Sequence, residues 1–230
     1  MTLIANPEER AALFIEIMDA TVAREERLTG IPCSEFRVPA KSKTKARPNG
    51  EDVDWWKTEG LKQIDSYLLW MQSHDWEIAL LPNGKHAIEW EAEVTFGGIP
   101  VRLVIDAVYA MPNGDLIVVD YKTGSKPPIG FEQLGLYASA LEKAYGIRPK
   151  YGAFYSTRKG ELEDVVSLDP WDIDYFNYMF RAMAAQQETG TYIPNVGFGC
   201  AGCGVKAQCV AWGSELSQSF PLYQPEEGKE

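Results

Sequence analysis

Apolar residues recur at helical spacing in the first third of the chain. Residues 7–27 (PEERAALFIEIMDATVAREER) keep Leu13, Ile17 and Val22 on roughly one side, and Pro7 suits a first helical turn. A turn, LTGIP, leads to Cys33. Residues 54–72 (DWWKTEGLKQIDSYLLWMQ) place Trp56, Leu61, Ile64, Leu68 and Met71 on or near one face, which predicts a second amphipathic helix. Between them, residues 40–50 (AKSKTKARPNG) carry Lys41, Lys43, Lys45 and Arg47 and nothing from which a core can form.

The period then changes. IEWEAEVTF (88–96) alternates polar and apolar, and VRLVIDAVYA (101–110) and DLIVVDYKTG (115–124) are rich in β-branched residues. The turn signals GGIP and MPNG separate them, predicting three successive antiparallel strands joined by short hairpins. A helix is expected over 130–146, stopping at a glycine, then a strand over 150–157. A last helix is expected over 170–189, opened by Asp169 and Pro170. The tail after residue 212 is polar and reads as loose. The order α, β-meander, α, β, α predicts an α/β protein with helices packed on a sheet.

Bulk properties narrow this picture. The 230 residues suffice for one large domain or two small ones, and 45% hydrophobic with 24% charged residues is ordinary for a soluble globular protein. No apolar run approaches the roughly 20 residues that span a bilayer. The segment MTLIANPEERAALFIEIMDA lacks a basic region followed by an apolar one, so the expected location is the cytoplasm, with no membrane partner. A net charge of −11 and a pI near 4.8 argue against coating nucleic acid through a broad basic surface. They leave room for a local groove, and acidic side chains gathered around a metal would add negative charge.

The strand pattern carries candidate chemistry. Asp120 and Lys122 are two apart on one strand and share a face. Folding the hairpin at Asn113-Gly114 brings Asp106 towards Asp120. Two close carboxylates repel, and a hard divalent ion such as Mg²⁺ or Mn²⁺ resolves the conflict. Such an ion can activate water, and Lys122 can position that water or offset charge on a phosphoryl group. Taken alone, the three residues are equally consistent with strand-end residues and a solvated lysine. Gln133 and Tyr137, four apart, share a face of the next helix.

The ordered set D-x(13)-D-Y-K-T-G followed by F-E-Q-L-G-L-Y resembles the PD-(D/E)XK nuclease superfamily in its RecB-like exonuclease branch, closely over residues 88–140. The resemblance implies a restriction-endonuclease-like core, a mixed sheet flanked by helices. It implies metal binding by Asp106 and Asp120 with the Tyr121 carbonyl, a catalytic Lys122, and contacts from Gln133 and Tyr137 to DNA near the site. The branch usually adds an upstream histidine ligand. His74 and His86 both lie outside the 54–72 helix, so Glu59, beside Gly60 where a close approach to the sheet is possible, is the candidate, with Glu91, Glu93 and His74 as rivals. A plain surface carboxylate is the simpler account of Glu59.

Cys200, Cys203 and Cys209 form C-x-x-C-x(5)-C among small residues, and Cys33 stands far upstream. Metal ligation explains four cysteines in a cytoplasmic protein better than disulfides do, and spacing alone suits zinc or an iron–sulfur cluster. The same arrangement, one cysteine before the core and three after, occurs in RecB-like enzymes similar to AddB-type nuclease domains and the CRISPR-adaptation exonuclease. That resemblance implies a 4Fe–4S cluster with a structural role, zinc being the alternative.

The expected organisation is one nuclease domain over 1–230. Its core lies at about 54–160, a cysteine-bound cap at about 1–50 and 170–212, and a loose tail at 213–230. The expected activity is exonucleolytic, on single-stranded DNA or DNA ends, in repair, recombination, CRISPR adaptation or phage DNA processing, beside a helicase, recombinase or CRISPR-adaptation protein. No G-x-x-x-x-G-K-S/T motif marks a fused helicase. The competing readings are a nuclease fold that binds or scaffolds DNA without cutting it, and a zinc-bound regulatory protein. The basic loop Lys41–Arg47 either grips a DNA backbone or is solvated; Arg158 and Lys159 are a weaker case of the same kind. Trp55 and Trp56 read as packing residues before base-stacking ones.

Overall fold

The computed structural model describes residues 6–36, 43–124, 128, 130–190, 194–206, 209 and 211. Helix α1 (Pro7–Thr29) begins where the Asn6 side chain accepts the Glu8 and Glu9 N–H groups at 2.8 and 3.4 Å. This cap satisfies donors the helix itself cannot. Helix α2 (Val53–Gln72) starts in the same way, its Asp52 carboxylate accepting the Trp55 N–H at 2.9 Å. Both helices end within a turn of the limits their apolar spacing predicts.

The strands are β1 (Glu77–Ile78), β2 (Ile88–Phe96), β3 (Ile99–Ala110), β4 (Leu116–Lys122), β5 (Tyr151–Ser156), β6 (Glu161–Leu162) and β7 (Val166–Ser167). They form one seven-stranded sheet in the order β1-β3-β4-β5-β6, with β2 also paired to β3 and β7 to β5. β3 and β4 are antiparallel about a tight turn in which Gly114 N–H donates to the Met111 carbonyl at 2.9 Å. β4 and β5 run parallel, and the crossover such a pair requires is α3 (Glu132–Tyr145). The protein is thus mixed α/β, with helices flanking a mixed sheet, as its element order predicts.

Helix α4 (Ile173–Thr189) starts later than the Asp169-Pro170 signal suggests. Trp171 N–H bonds to the Leu168 carbonyl at 3.1 Å, so those residues make a turn. Asp172 then accepts the Tyr175 N–H at 2.7 Å and caps the helix in place of Asp169.

The chain divides into two compact units, Met1–Thr95 with Pro100–Phe176, and Phe96–Ile99 with Asn177–Glu230. In the first unit, one sheet face presents Ala107, Tyr109, Ile117, Val119, Ala153 and Tyr155, packed against Tyr67, Trp70 and Met71 of α2. The Tyr67, Tyr109 and Tyr121 hydroxyls bond to one another there, at 3.0, 3.2 and 2.5 Å. Burial raises the Tyr109 and Tyr121 phenols far above their ordinary range and pushes Tyr155 up to about 12. α3 covers the opposite face. It comes so close to β5 that a Cβ on Gly152 would lie 3.0 Å from both Leu134 Cβ and Leu168 Cδ2.

In the second unit, Phe96 stacks on Phe180 and Gly97 N–H donates to Asn177 Oδ1 at 2.7 Å. Among the described residues, no helix is long and apolar enough to cross a membrane. Lys41 and the tail at 213–230 lie outside the described residues.

Candidate functional site

Strand alternation sends Tyr121 to the α2 side of the sheet and leaves Asp120 and Lys122 on the α3 side. The β3–β4 register runs from Ala110↔Leu116 to Ala107↔Val119, and its next step sets Asp106 opposite Asp120. Asp106 Oδ2 accepts the Tyr121 N–H at 2.8 Å, so the backbone of the second strand fixes the carboxylate of the first.

Asp120 is only 2% exposed. Burial raises its carboxyl above the ordinary 3.8; the Lys122 ammonium works against that rise and Asp106 adds to it. Lys122 Nζ lies 2.5 Å from Asp120 Oδ2, yet that buried oxygen receives no hydrogen bond of good geometry.

The first turn of α3 completes the group. Gln133 Nε2 donates to Asp120 Oδ1 at 3.0 Å and to the Tyr137 hydroxyl at 2.6 Å. Gln133 Oε1 accepts from Lys122 Nζ at 3.1 Å. Asp106, Asp120, Lys122, Gln133 and Tyr137 therefore meet at one place, on the face where the periodicity puts them. Gln133 is exposed, so the group opens to solvent.

The donor chemistry fits a hard divalent cation. A buried carboxylate whose pKa burial raises, with one oxygen paired to Lys122, faces a second carboxylate across the ladder. Among the described residues, no three His, Cys, Asp or Glu side chains converge as a ligand set, and those residues offer two carboxylates here.

The third-ligand candidates lie in other contacts. Glu59 pairs with Lys62 of its own helix at 2.6 Å. The close approach beside it at Gly60 is to α1, not to the sheet: a Cβ there would lie 2.4 Å from Phe14 Cζ. Glu91 pairs with Arg102 at 3.1 Å, and Glu93 is exposed. His74 lies at the end of α2 between Trp70 and Trp76, accepts the Trp76 N–H at 3.2 Å, and is held below its ordinary pKa by burial. His86 is exposed and forms an isolated bridge with Leu80.

None of the four cysteines is paired in a disulfide. Cys33 N–H donates to Glu26 Oε1 at 2.6 Å, and partial desolvation followed by that carboxylate raises the thiol's pKa. Cys200, Cys203 and Cys209 follow one another on tight turns: Cys203 N–H donates to the Cys200 carbonyl at 3.4 Å and Cys209 N–H to the Lys206 carbonyl at 3.2 Å.

One cluster has only a faint signal in the sequence. Arg158, just past β5, holds Glu51 through two bonds at 3.0 and 2.7 Å and donates from Nε to the Thr123 carbonyl at 2.6 Å. Its guanidinium lies 5.4 Å from the Trp55 ring centre and 5.2 Å from that of Trp56. Partners 107 residues apart leave no periodic trace; the basic dipeptide Arg158-Lys159 is the only hint.

The fold and this site define a mixed α/β protein that gathers two carboxylates, a lysine and a glutamine at one place on its sheet. A sequence profile of the PD-(D/E)XK nuclease superfamily matches residues 9–210, and the chain belongs to that superfamily. It is 41% identical over 113 residues to the Gene 69 protein of Mycobacterium phage D29, a match covering 48% of this chain and 41% of that protein. It is 29% identical over 171 residues to the Gene 69 protein of Mycobacterium phage L5, covering 64% and 58%. The chain thus spans about half the length of these relatives. The crystal structure of SSO0001 aligns at a TM-score of 0.37 and 13% identity, over 68% of this chain and 70% of that one.

Proposed function

We propose that this protein is a divalent-metal-dependent exonuclease that hydrolyses DNA phosphodiesters, on single strands or at ends. Asp106 and Asp120, with the Tyr121 carbonyl, would hold Mg²⁺ or Mn²⁺, and the ion when bound supplies Lewis acidity and an activated water. Lys122 orients that water or meets charge on the phosphoryl oxygens, while Gln133 and Tyr137 position the strand. Glu59 joins the set only if it releases Lys62. The observation that carries this reading is the buried Asp120 carboxylate, beside a second carboxylate and in contact with both Lys122 and Gln133.

The four cysteines, by their order around the core and the tight turns of the last three, are read as ligands of a 4Fe–4S cluster, zinc being the alternative. Two mycobacteriophage relatives favour phage DNA processing as the setting.

The test is degradation of end-labelled single- and double-stranded DNA in Mn²⁺. The wild type shortens the strand, and Lys122→Ala slows it by about 100-fold or more. If both leave the DNA intact, the enzyme reading fails. A fold that binds DNA without cutting it then stands, as the lack of a third ligand side chain among the described residues would favour.

A further inference from the structure

The cationic loop before α2 is physically joined to the exit of the catalytic strand. Thr44 and Arg47 each donate a backbone N–H to the other's carbonyl, at 2.9 and 3.1 Å, so the loop is a closed turn with Lys45 at its tip. Gly50 N–H then donates to the Arg47 carbonyl at 3.0 Å. The Arg47 guanidinium lies 5.6 Å from the centre of the Trp55 ring that Arg158 also approaches. The two guanidinium carbons are therefore within about 11 Å of each other. Arg158 in turn holds the Thr123 carbonyl, one residue beyond Lys122.

Charge along this line is unevenly committed. Glu51 is bound two-fold by Arg158 and Asp52 caps α2, so these two carboxylates are engaged, while Asp54 is exposed on the first turn of the helix. Lys43, Lys45 and Arg47 are exposed. In a chain of net charge −11, three exposed cations within five residues make a short cationic strip, set ahead of the acidic Glu51, Asp52 and Asp54 around the start of α2.

We infer that Lys43, Lys45 and Arg47 form a phosphate-binding track for the DNA strand running to Lys122, with Arg158 as the post that holds the track in place. Arg158 spends its charge on Glu51 and its Nε on Thr123, so it positions, while the loop residues contact phosphate. Trp55 and Trp56 serve as platforms for guanidinium groups, which leaves base stacking to other surfaces. This inference rests on the nuclease reading of the neighbouring site.

The experiment measures binding of a fluorescent 20-nucleotide single strand in excess chelator across a salt series. For single strands the log–log salt slope changes by about 0.7 per phosphate contact. The triple variant Lys43→Ala/Lys45→Ala/Arg47→Ala should flatten the slope by about 2. A control that removes equal charge elsewhere, Lys85→Ala/Arg102→Ala/Lys143→Ala, should keep the wild-type slope. Lys45→Glu alone should weaken binding at low salt more than at high salt. A wild-type slope in the triple variant overturns the track, and so does an equal loss in the control, which would show that overall charge suffices. Wild-type cleavage in Mn²⁺, run alongside, separates the outcomes: a protein that cleaves DNA while the triple variant keeps its slope keeps its nuclease reading and loses the track. One that does not cleave loses the nuclease reading instead.

Discussion

Asp120 is the residue on which the site turns. Burial raises the pKa of its carboxyl above the ordinary value, so in the absence of metal folding shifts its titration upward. The sign follows directly. Below the ordinary carboxylate value the group is neutral in both states and costs nothing. As pH rises from that value through the raised folded one, ionisation increasingly opposes folding. Without metal, Asp120→Asn should therefore be more stable than wild type at neutral pH, with a gap that closes as pH falls to the ordinary range. Adding Mn²⁺ should raise the melting temperature of the wild type and leave the Asn variant unmoved. Thermal melts across pH, with chelator and with metal, decide it. A wild type at least as stable as Asp120→Asn in chelator at neutral pH would mean that Lys122 fully compensates the burial.

At the scale of elements, the site is a meeting of β3, β4 and α3, and it was legible because each element speaks in its own period. Two-residue alternation put Asp120 and Lys122 on one face, four-residue spacing put Gln133 and Tyr137 on another, and Asn113-Gly114 closed the hairpin between the carboxylates. What stayed hidden had no period. β1, β6 and β7 have two residues each, too few to alternate. The start of α4 carried two competing acidic caps, and the Leu168–Trp171 turn decided for Asp172. The closeness of α3 to β5 depends on the missing side chain of Gly152. Gly152→Ala places a methyl against Leu134 Cβ, which cannot swing away as a side-chain end can. The expected cost is about 1–3 kcal/mol, with a loss of cleavage as Gln133 and Tyr137 shift off Asp120. Denaturant melts and the strand-shortening assay on one preparation measure both effects. Unchanged activity in a destabilised protein would separate the helix position from the chemistry.

For the molecule as a whole, the split cysteine set is the feature with the widest reach. Sequence order set one thiol ahead of the sheet-forming core and three behind it, but order does not state which metal they hold. If a cluster joins them, Cys33→Ser and Cys203→Ser should lower bound iron and visible absorbance to similar extents in protein purified without oxygen. A Cys33→Ser protein that keeps its full iron content would assign the site to the C-terminal loop alone. Colourless wild type carrying zinc would replace the cluster with that ion. The acidic balance belongs to this scale too: net charge described the average surface, while the basic loop was a local exception already legible in the sequence, its tie to Trp55 appearing only once the chain is folded.

The three tyrosine hydroxyls behind the sheet have a consequence of another kind. Tyr67, Tyr109 and Tyr121 each carry one proton to donate and oxygen lone pairs that accept, so a closed ring satisfies all three donors in either direction, and Met71 Sδ gives the Tyr109 proton a second acceptor. Removing Tyr67 or Tyr121 leaves the Tyr109 proton with Met71 Sδ, 3.4 Å away, whereas removing Tyr109 leaves one of the two remaining hydroxyl protons without an acceptor in the group. Tyr109 is thus the shared partner on which the other two hydroxyls depend. Because Tyr121 stands between Asp120 and Lys122, drift in a packing residue on the far side of the sheet is coupled to the fidelity of the chemistry on the near side.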